Sequence, residues 1–358
     1  MDRPLTLEPV RDAANSAAGG RCVSFDSPKM LRLIPMQHAA GLAAVLFLAV
    51  GCADDSAGPL HPAALPPPTR DLPARIDVSR FVDSLKTFMP GRDTNGYSPP
   101  LAAERDEFLQ IFEDAVRGDM RRADSLAQTF RYDIEESIDD VTGDILALVV
   151  ERAPIERGWG TFVLRRDGTT ADIHDNHPLF DINTPLVAAT LFTECRCRAW
   201  LMAGTHRYAN GGDASDMARS TASIFEGVHE RLSVDGGIAV SVHGFTGSNY
   251  DGPTAGSDAV LSSGDTDTGE LARPASAIAL RDALRQGGFI AGHVAVDAGY
   301  DFLTATSNPQ GRYSNLQFGA GRWIHVEIER HIRDDETLWR PFVSIISSWL
   351  SATVDAGV

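Results

Sequence analysis

From residue 143 onward, short apolar runs bounded by turn residues alternate with longer segments in which apolar residues recur at helical spacing. The runs predict strands and the longer segments predict helices. The predicted strands are 145–150, 161–164, 171–174, 199–202, 237–243 and 323–328, and the predicted helices are 184–194, 215–232, 274–286 and 338–351. This alternation is typical of an α/β fold with a mixed, mostly parallel sheet and helices on both faces. We therefore expect an α/β domain over residues 143–358, with its site where the strands end.

Three other regions precede this domain. Residues 76–142 predict a helical lead-in, because apolar residues recur at helical spacing from Phe108 to Val116, and Gly118 suggests a break between two helices. Residues 53–75 are rich in proline and alanine, which predicts an extended tether. Residues 1–52 are expected to be a leader that ends in a lipoprotein signal.

The evidence for that signal is an uncharged stretch, residues 33–53, whose apolar run ends in Gly51-Cys52. A charged start, a short apolar centre and small residues before a cleavage point are typical of a secretory signal, and the run is shorter than the ~20 residues of a membrane span. Ala49-Val50-Gly51-Cys52 resembles the lipobox at which bacterial lipoproteins are cleaved and acylated. The resemblance implies lipidation of Cys52 and a lipid anchor in the cell envelope. Because Ala53 does not resemble an inner-membrane retention residue, we expect the outer membrane, on its periplasmic side.

The net charge limits the possible partners, and the cysteine spacing bears on disulfide formation. A formal net charge of −17 argues against nucleic acid or anionic lipid as a partner. Two further cysteines, Cys195 and Cys197, lie in the α/β domain. Residues two apart close too small a ring for an unstrained disulfide, so we expect two half-buried thiols.

Familiar catalytic motifs are absent from the sequence. It has no G-x-S-x-G, G-x-x-x-x-G-K or G-x-G-x-x-G motif, and His229-Glu230 is not followed by the second histidine of H-E-x-x-H, because Ser233 stands there. These absences argue against serine hydrolases of the elbow type, zincins and nucleotide-binding folds.

Candidate metal ligands follow two of the predicted strands. His177 and Asp181 are four residues apart on a turning segment, where an imidazole and a carboxylate can reach one zinc ion. The alternative is a turn with a capping Asp, and His174 is an alternative partner for His177. His243 ends the strand 237–243, the expected position for a third ligand, although such a histidine is often structural.

Candidate substrate-binding residues lie in two polar loops. Arg207 and Asn210 follow the strand 199–202, and a guanidinium beside an amide suits a substrate carboxylate, although an ordinary polar loop fits equally well. The segment 307–315 offers Asn308, Arg312 and Asn315 as further candidates.

The strand 323–328 has carboxylates on one face. His325, Glu327 and Glu329 alternate with Ile324, Val326 and Ile328. An edge strand with a solvated face would explain this pattern, and so would a catalytic carboxylate, because amide hydrolysis needs a base for water and an acid for the leaving amine. The pattern leaves open whether that carboxylate is Glu327 or Glu329.

Four segments, in this order, resemble the zinc amidohydrolases related to N-formylglutamate amidohydrolase and phage poly-γ-glutamate hydrolase, whose fold is similar to that of zinc carboxypeptidases. They are the turn with His177 and Asp181, the loop with Arg207 and Asn210, the end of the strand 237–243, and the strand 323–328. The resemblance covers roughly residues 150–350, and Asp181 stands where the family has Glu. It implies that His177, Asp181 and His243 bind Zn²⁺. It also implies that Arg207 binds a substrate carboxylate and that Glu327 is the general acid/base.

The sequence hypothesis is therefore a zinc-dependent hydrolase of an amide bond near a free carboxylate, acting in the cell envelope. Its substrate would be an N-acyl amino acid, a peptide, a γ-glutamyl polymer or a peptidoglycan stem. The rival hypothesis is a non-catalytic envelope binding protein that has lost the metal. A metal-free hydrolase that uses Ser241 or Ser248 beside His243 ranks last, because the sequence lacks the elbow motif.

Overall fold

The computed structural model describes residues 74–355, so the leader, the tether before residue 74 and Cys52 lie outside the described residues. The helices are α1 Val78–Lys86, α2 Ala102–Val116, α3 Met120–Thr129, α4 Thr184–Glu194, α5 Ile224–Leu232, α6 Ala275–Gln286, α7 Pro309–Phe318, α8 Arg330–Asp334 and α9 Glu336–Asp355. The strands are β1 Ala74–Ile76, β2 Tyr132–Asp139, β3 Ile145–Glu151, β4 Thr161–Arg165, β5 Thr169–Asp175, β6 Cys197–Met202, β7 Ile238–Phe245, β8 Ala259–Ser262, β9 Ala291–His293 and β10 Trp323–Glu329.

The ten strands form one sheet in the order β1-β2-β3-β4-β6-β5-β7-β10-β8-β9. Strands β6, β5, β7 and β10 run parallel to one another at its centre. Strands β3 and β4 pair antiparallel with both of their neighbours, whereas β8 is antiparallel to β10 and parallel to β9. The mixed sheet confirms the predicted fold class. Because parallel strands bring their carboxyl ends to one edge, the ends of β5, β7 and β10 lie side by side.

Helices cover both faces of the sheet. Apolar residues of α1, α4, α6 and α9 pack with one set of strand side chains, and those of α2, α3 and α5 pack with the alternate set. In β6, for example, Trp200 belongs to the first core and Leu201 to the second. This alternation is the period-2 geometry of a strand buried on both faces.

The structure corrects several local expectations. The region 76–142 contains three helices, with Gly118 between α2 and α3, and also β2, which joins the sheet through β3. The helix expected over 215–232 begins only at Ile224, because the Ser223 hydroxyl accepts a hydrogen bond from Glu226 N and caps the helix there. The segment 307–315, expected to be a polar loop, forms most of α7.

Cys195 and Cys197 form a disulfide instead of two free thiols. Their Cα atoms are 5.1 Å apart, which is within the usual range for a disulfide. In the part of the chain that the structure describes, no helix is both long enough and apolar enough to span a membrane.

Candidate active site

The site lies where β5, β7 and β10 end. His177 follows β5, and backbone bonds from Phe180 N and Asp181 N to His177 O close one helical turn, so His177 and Asp181 share a side of that turn. His243 lies near the end of β7, and Glu327 of β10 is directly opposite it in the parallel register. Sheet topology therefore brings together three segments that are far apart in sequence.

Two histidine nitrogens and one carboxylate oxygen converge at this point. Asp181 Oδ2 lies 3.2 Å from His177 Nδ1 and 3.2 Å from His243 Nδ1, and the two nitrogens are 3.1 Å apart. All three side chains are buried. Zinc ligands lie about 2.0–2.1 Å from a tetrahedral ion, which places neighbouring ligand atoms about 3.3 Å apart. The observed triangle is close to that spacing, and we call it the ligand triangle.

The proton inventory of the ligand triangle also requires a cation. His177 Nε2 lies 2.8 Å from an oxygen of Asp216, so this nitrogen carries a proton that it donates to the carboxylate. In a neutral imidazole, Nδ1 then has a lone pair that faces Asp181 Oδ2. Such an arrangement is repulsive unless a second proton or a metal ion lies between the atoms. A carboxylate that orients a metal-binding histidine in this way is a recurrent feature of metal sites.

The pKa values follow this arrangement. Burial lowers the pKa of His177, but the charge of Asp181 and hydrogen bonds to Asp181 and Asp216 outweigh burial and raise it to about 9. Burial raises the pKa of Asp216, whereas contacts with His177 and Arg207 lower it to about 2. Burial lowers the pKa of His243 to about 4. Without a metal ion, a proton on His177 therefore supplies the positive charge, and a metal ion would displace it.

Glu327 lies beside the ligand triangle and is buried. Its Oε1 lies 3.3 Å from His325 Nε2, whereas its Oε2 has no hydrogen-bond partner among the described residues. His243, His325 and Glu327 also have ligand atoms within 4.8 Å of one another. Glu329 faces different groups, since its carboxylate accepts from Gly247 N and from His331 at the start of α8. The structure thus leaves the Glu327 carboxylate free to react and uses Glu329 as a helix cap.

A cavity of about 220 Å³ opens onto these groups. Its lining includes the ligand triangle, Glu327, Arg207, Arg219, Tyr250 and Asn308. Arg207 bonds Asp216 through Nη2 at 2.5 Å, and its guanidinium lies 5.2 Å from the ring centre of Phe180. The Arg207 Nε atom is buried and has no partner among the described residues. Arg207 is therefore held in place by Asp216 and Phe180, while its Nε donor lacks a partner among the described residues.

Three sequence candidates lie away from the cavity. The Asn210 amide bonds the Tyr97 backbone through both its oxygen and its nitrogen, so its role is to hold the segment before α2. Arg312 is exposed on α7 and is not part of the cavity lining. His174 is fully buried, and its ring packs 4.9 Å from that of His229, apart from the ligand triangle.

Sequence reasoning missed Asp216 and Tyr250. Asp216 contacts both His177 and Arg207, but it lies in an irregular segment without a recognisable pattern. Tyr250 follows a short 3₁₀ turn, Gly247–Asn249, and had no partner motif nearby. Asn308, which was considered as part of a polar loop, lines the cavity as the N-cap of α7. The Asn-Pro pair at residues 308–309 is the one pattern that could have revealed that helix start.

A scan against protein-family models found no match, and a search of curated proteins found no relative. Solved structures that match include the zinc-free structure of YNDL, with 16% identity over 53% of this chain and 88% of that one at a TM-score of 0.36. A bacteriophage poly-γ-glutamate hydrolase matches with 16% identity over 55% and 87%, at a TM-score of 0.35. An N-formylglutamate amidohydrolase from Ralstonia eutropha JMP134 matches with 13% identity over 54% and 96%, also at 0.35. The last two are of the kind that the sequence resemblance named. TM-scores this low do not establish a shared fold, so function has to be argued from the site.

Replacing one histidine of the ligand triangle should release the metal. His177→Ala or His243→Ala should each remove most of the metal bound per chain after dialysis, because two remaining ligands hold an ion poorly. His174→Ala is the matched control, since it removes another buried histidine, in β5, and should keep the metal. Elemental analysis of folded protein measures the content. Loss of metal from His174→Ala together with full metal content in His177→Ala would show that His174, and not His177, binds the metal.

Proposed function

We propose that the chain is a zinc-dependent hydrolase of an amide bond close to a free carboxylate. The observation that carries the proposal is the buried ligand triangle with an unpartnered carboxylate oxygen and an arginine in the same cavity. The substrate would be an N-acyl amino acid, a peptide, a γ-glutamyl polymer or a peptidoglycan stem. The similar structures include amidohydrolases, but the proposal depends on the residues of this chain.

His177, Asp181 and His243 would hold the zinc ion. Two imidazoles and one carboxylate leave a coordination position for a ligand, as in other catalytic zinc sites. When bound, zinc polarises a carbonyl group and makes water a better nucleophile at neutral pH. Asp216 positions His177 by accepting a hydrogen bond from its Nε2, and Arg207 holds Asp216 in turn.

Glu327 is the proton carrier in this proposal. Its unpartnered Oε2 would take a proton from the attacking water as the new C–O bond forms. It would then give that proton to the amide nitrogen as the C–N bond breaks, which yields a carboxylic acid and an amine. The contact with His325 limits the rotation of the carboxylate and keeps it near His243.

Arg207 would bind the substrate carboxylate. Its mostly buried guanidinium lines the cavity, and Asp216 occupies only Nη2 among its described contacts. A guanidinium donates several hydrogen bonds in one plane, which matches the two oxygens of a carboxylate. This contact would place the amide bond at a fixed distance from the ligand triangle.

Replacement of Glu327 by Gln tests the proposal. Glu327→Gln keeps the size of the side chain, so folding and zinc content should remain, while turnover should fall by about two to four orders of magnitude, the usual share of a general acid/base. Glu329→Gln is the control, because Glu329 caps α8 and should affect stability more than turnover. The measurement is hydrolysis of a panel of N-acyl amino acids and peptides by zinc-loaded protein. Unchanged turnover in Glu327→Gln would exclude this mechanism.

We also propose that the protein is a lipoprotein of the cell envelope, anchored through Cys52. The support is the apolar run that ends in Ala49-Val50-Gly51-Cys52. Cys52→Ser should abolish labelling by a radioactive fatty acid in the producing bacterium and leave an uncleaved precursor or a soluble exported protein. Labelling of the variant at the level of the parent would exclude the anchor.

A further inference from the structure

Asn308 lines the cavity and has an unused hydrogen-bond donor. Its Oδ1 accepts a hydrogen bond of 3.1 Å from Gly311 N and so caps α7. This bond fixes which amide atom is oxygen, and Nδ2 remains without a partner among the described residues although the side chain is only 3% exposed. Leaving a buried donor unpaired costs stability, so a ligand that accepts from Nδ2 would explain its presence. Because Oδ1 is occupied and Nδ2 is a donor, that ligand is an acceptor and not a cation.

The start of α7 is fixed firmly against this wall. The buried Gln310 side chain donates to Met217 O at 3.1 Å and to Glu226 at 2.6 Å, and it accepts from Asn176 at 2.9 Å. These bonds tie the first turn of α7 to the segment that contains Asp216 and Arg219. Asn308 therefore lies on the part of the cavity wall where the arginines are, and its position is set by bonds that do not involve the cavity.

The electrostatics of this wall favour an anion. The ten-residue helix α7 begins immediately after Asn308, and a helix N-terminus carries a partial positive charge. Arg207 and Arg219 line the same cavity, and the buried Nε of Arg207 also lacks a partner among the described residues. Of the carboxylates that line the cavity, Asp181 belongs to the ligand triangle and Glu327 contacts His325. An anionic oxygen acceptor is the ligand class that satisfies both unpaired donors.

We infer that Asn308 Nδ2, the N-terminus of α7 and Arg207 together form the subsite for the substrate carboxylate. The inference rests on the proposed function and deepens it, since it assigns to Asn308 the amide donor that the sequence suggested in Asn210. The subsite selects substrates that have a free carboxylate over the same molecules with an amide in its place. Asn308 is then a substrate-binding residue that determines specificity and takes no part in proton transfer.

Two substitutions separate the donor from the cap. Asn308→Ser keeps an acceptor for Gly311 N, because serine is as good an N-cap as asparagine. It removes Nδ2, because the serine side chain ends one atom short of the amide. Asn308→Asp keeps both the acceptor and the shape and replaces the donor by a negative oxygen. Asn210→Ser is the matched control, since it removes an asparagine amide outside the cavity. The parent protein and these three variants all carry Glu327→Gln, so that the probes are not hydrolysed. All four proteins are loaded with zinc.

The probes are a panel of N-acetyl amino acids, each paired with its C-terminal amide, and calorimetry gives the dissociation constants. We expect the parent to prefer acids to their amides. Asn308→Ser should weaken acid binding about 10- to 100-fold, the range for a hydrogen bond to a charged group, and Asn308→Asp should weaken it further. Amide binding, the melting temperature and the zinc content should stay near the parent values, and Asn210→Ser should keep the preference for acids.

Acid binding at the parent affinity in both Asn308 variants would overturn the inference, and so would a parent that does not prefer acids to amides. These results differ from failure of the proposed function. If Glu327→Gln alone retains hydrolysis while Asn308 still determines acid binding, the subsite stands and the mechanism fails. If the protein with its native Glu327 hydrolyses acids and amides equally well, the hydrolase stands and the carboxylate subsite fails.

Discussion

The site depends on one constraint: its three buried polar atoms can lie in contact only when a proton or a metal ion lies between them. Two imidazole nitrogens and one carboxylate oxygen lie 3.1–3.2 Å apart, with no room for water between them. One histidine has already committed its other nitrogen to Asp216. A cation is therefore needed to hold the group together, and buried groups of this kind are costly unless they are paired or bind a metal.

Strands, helices and one loop hold the side chains of the ligand triangle in place. Parallel strands β5, β7 and β10 bring the ligand triangle and Glu327 to one sheet edge, and helices on both faces fix the strands. The loop after β6 adds Arg207, which contacts Asp216, and Asp216 in turn contacts His177. Gly204 allows this loop to approach closely, since a Cβ there would lie 2.6 Å from Gly160 N. One chain of contacts thus links Arg207 to the ligand triangle.

The sequence predicted the central strands and the ligand triangle because strand ends can be recognised from apolar runs. The alternation in β10 left Glu327 and Glu329 equivalent, and only bonds from distant backbone groups separate them. Asp216 could not be predicted, because its role comes from tertiary contacts of an irregular segment. Asn210 was assigned by proximity to an arginine, yet long-range backbone contacts use its amide. The short strands β8 and β9 were not predicted, because a periodic pattern cannot be recognised in three or four residues.

We propose that this chain requires a single bound zinc ion to hydrolyse an amide near a carboxylate. The most direct measurement is the rate of hydrolysis of N-acyl amino acids by purified protein, before and after removal of metal by a chelator, during titration with zinc. We expect activity to disappear with the metal and to return in proportion to added zinc, with saturation at about one ion per chain. Metal-free protein that hydrolyses these substrates at the original rate would contradict it.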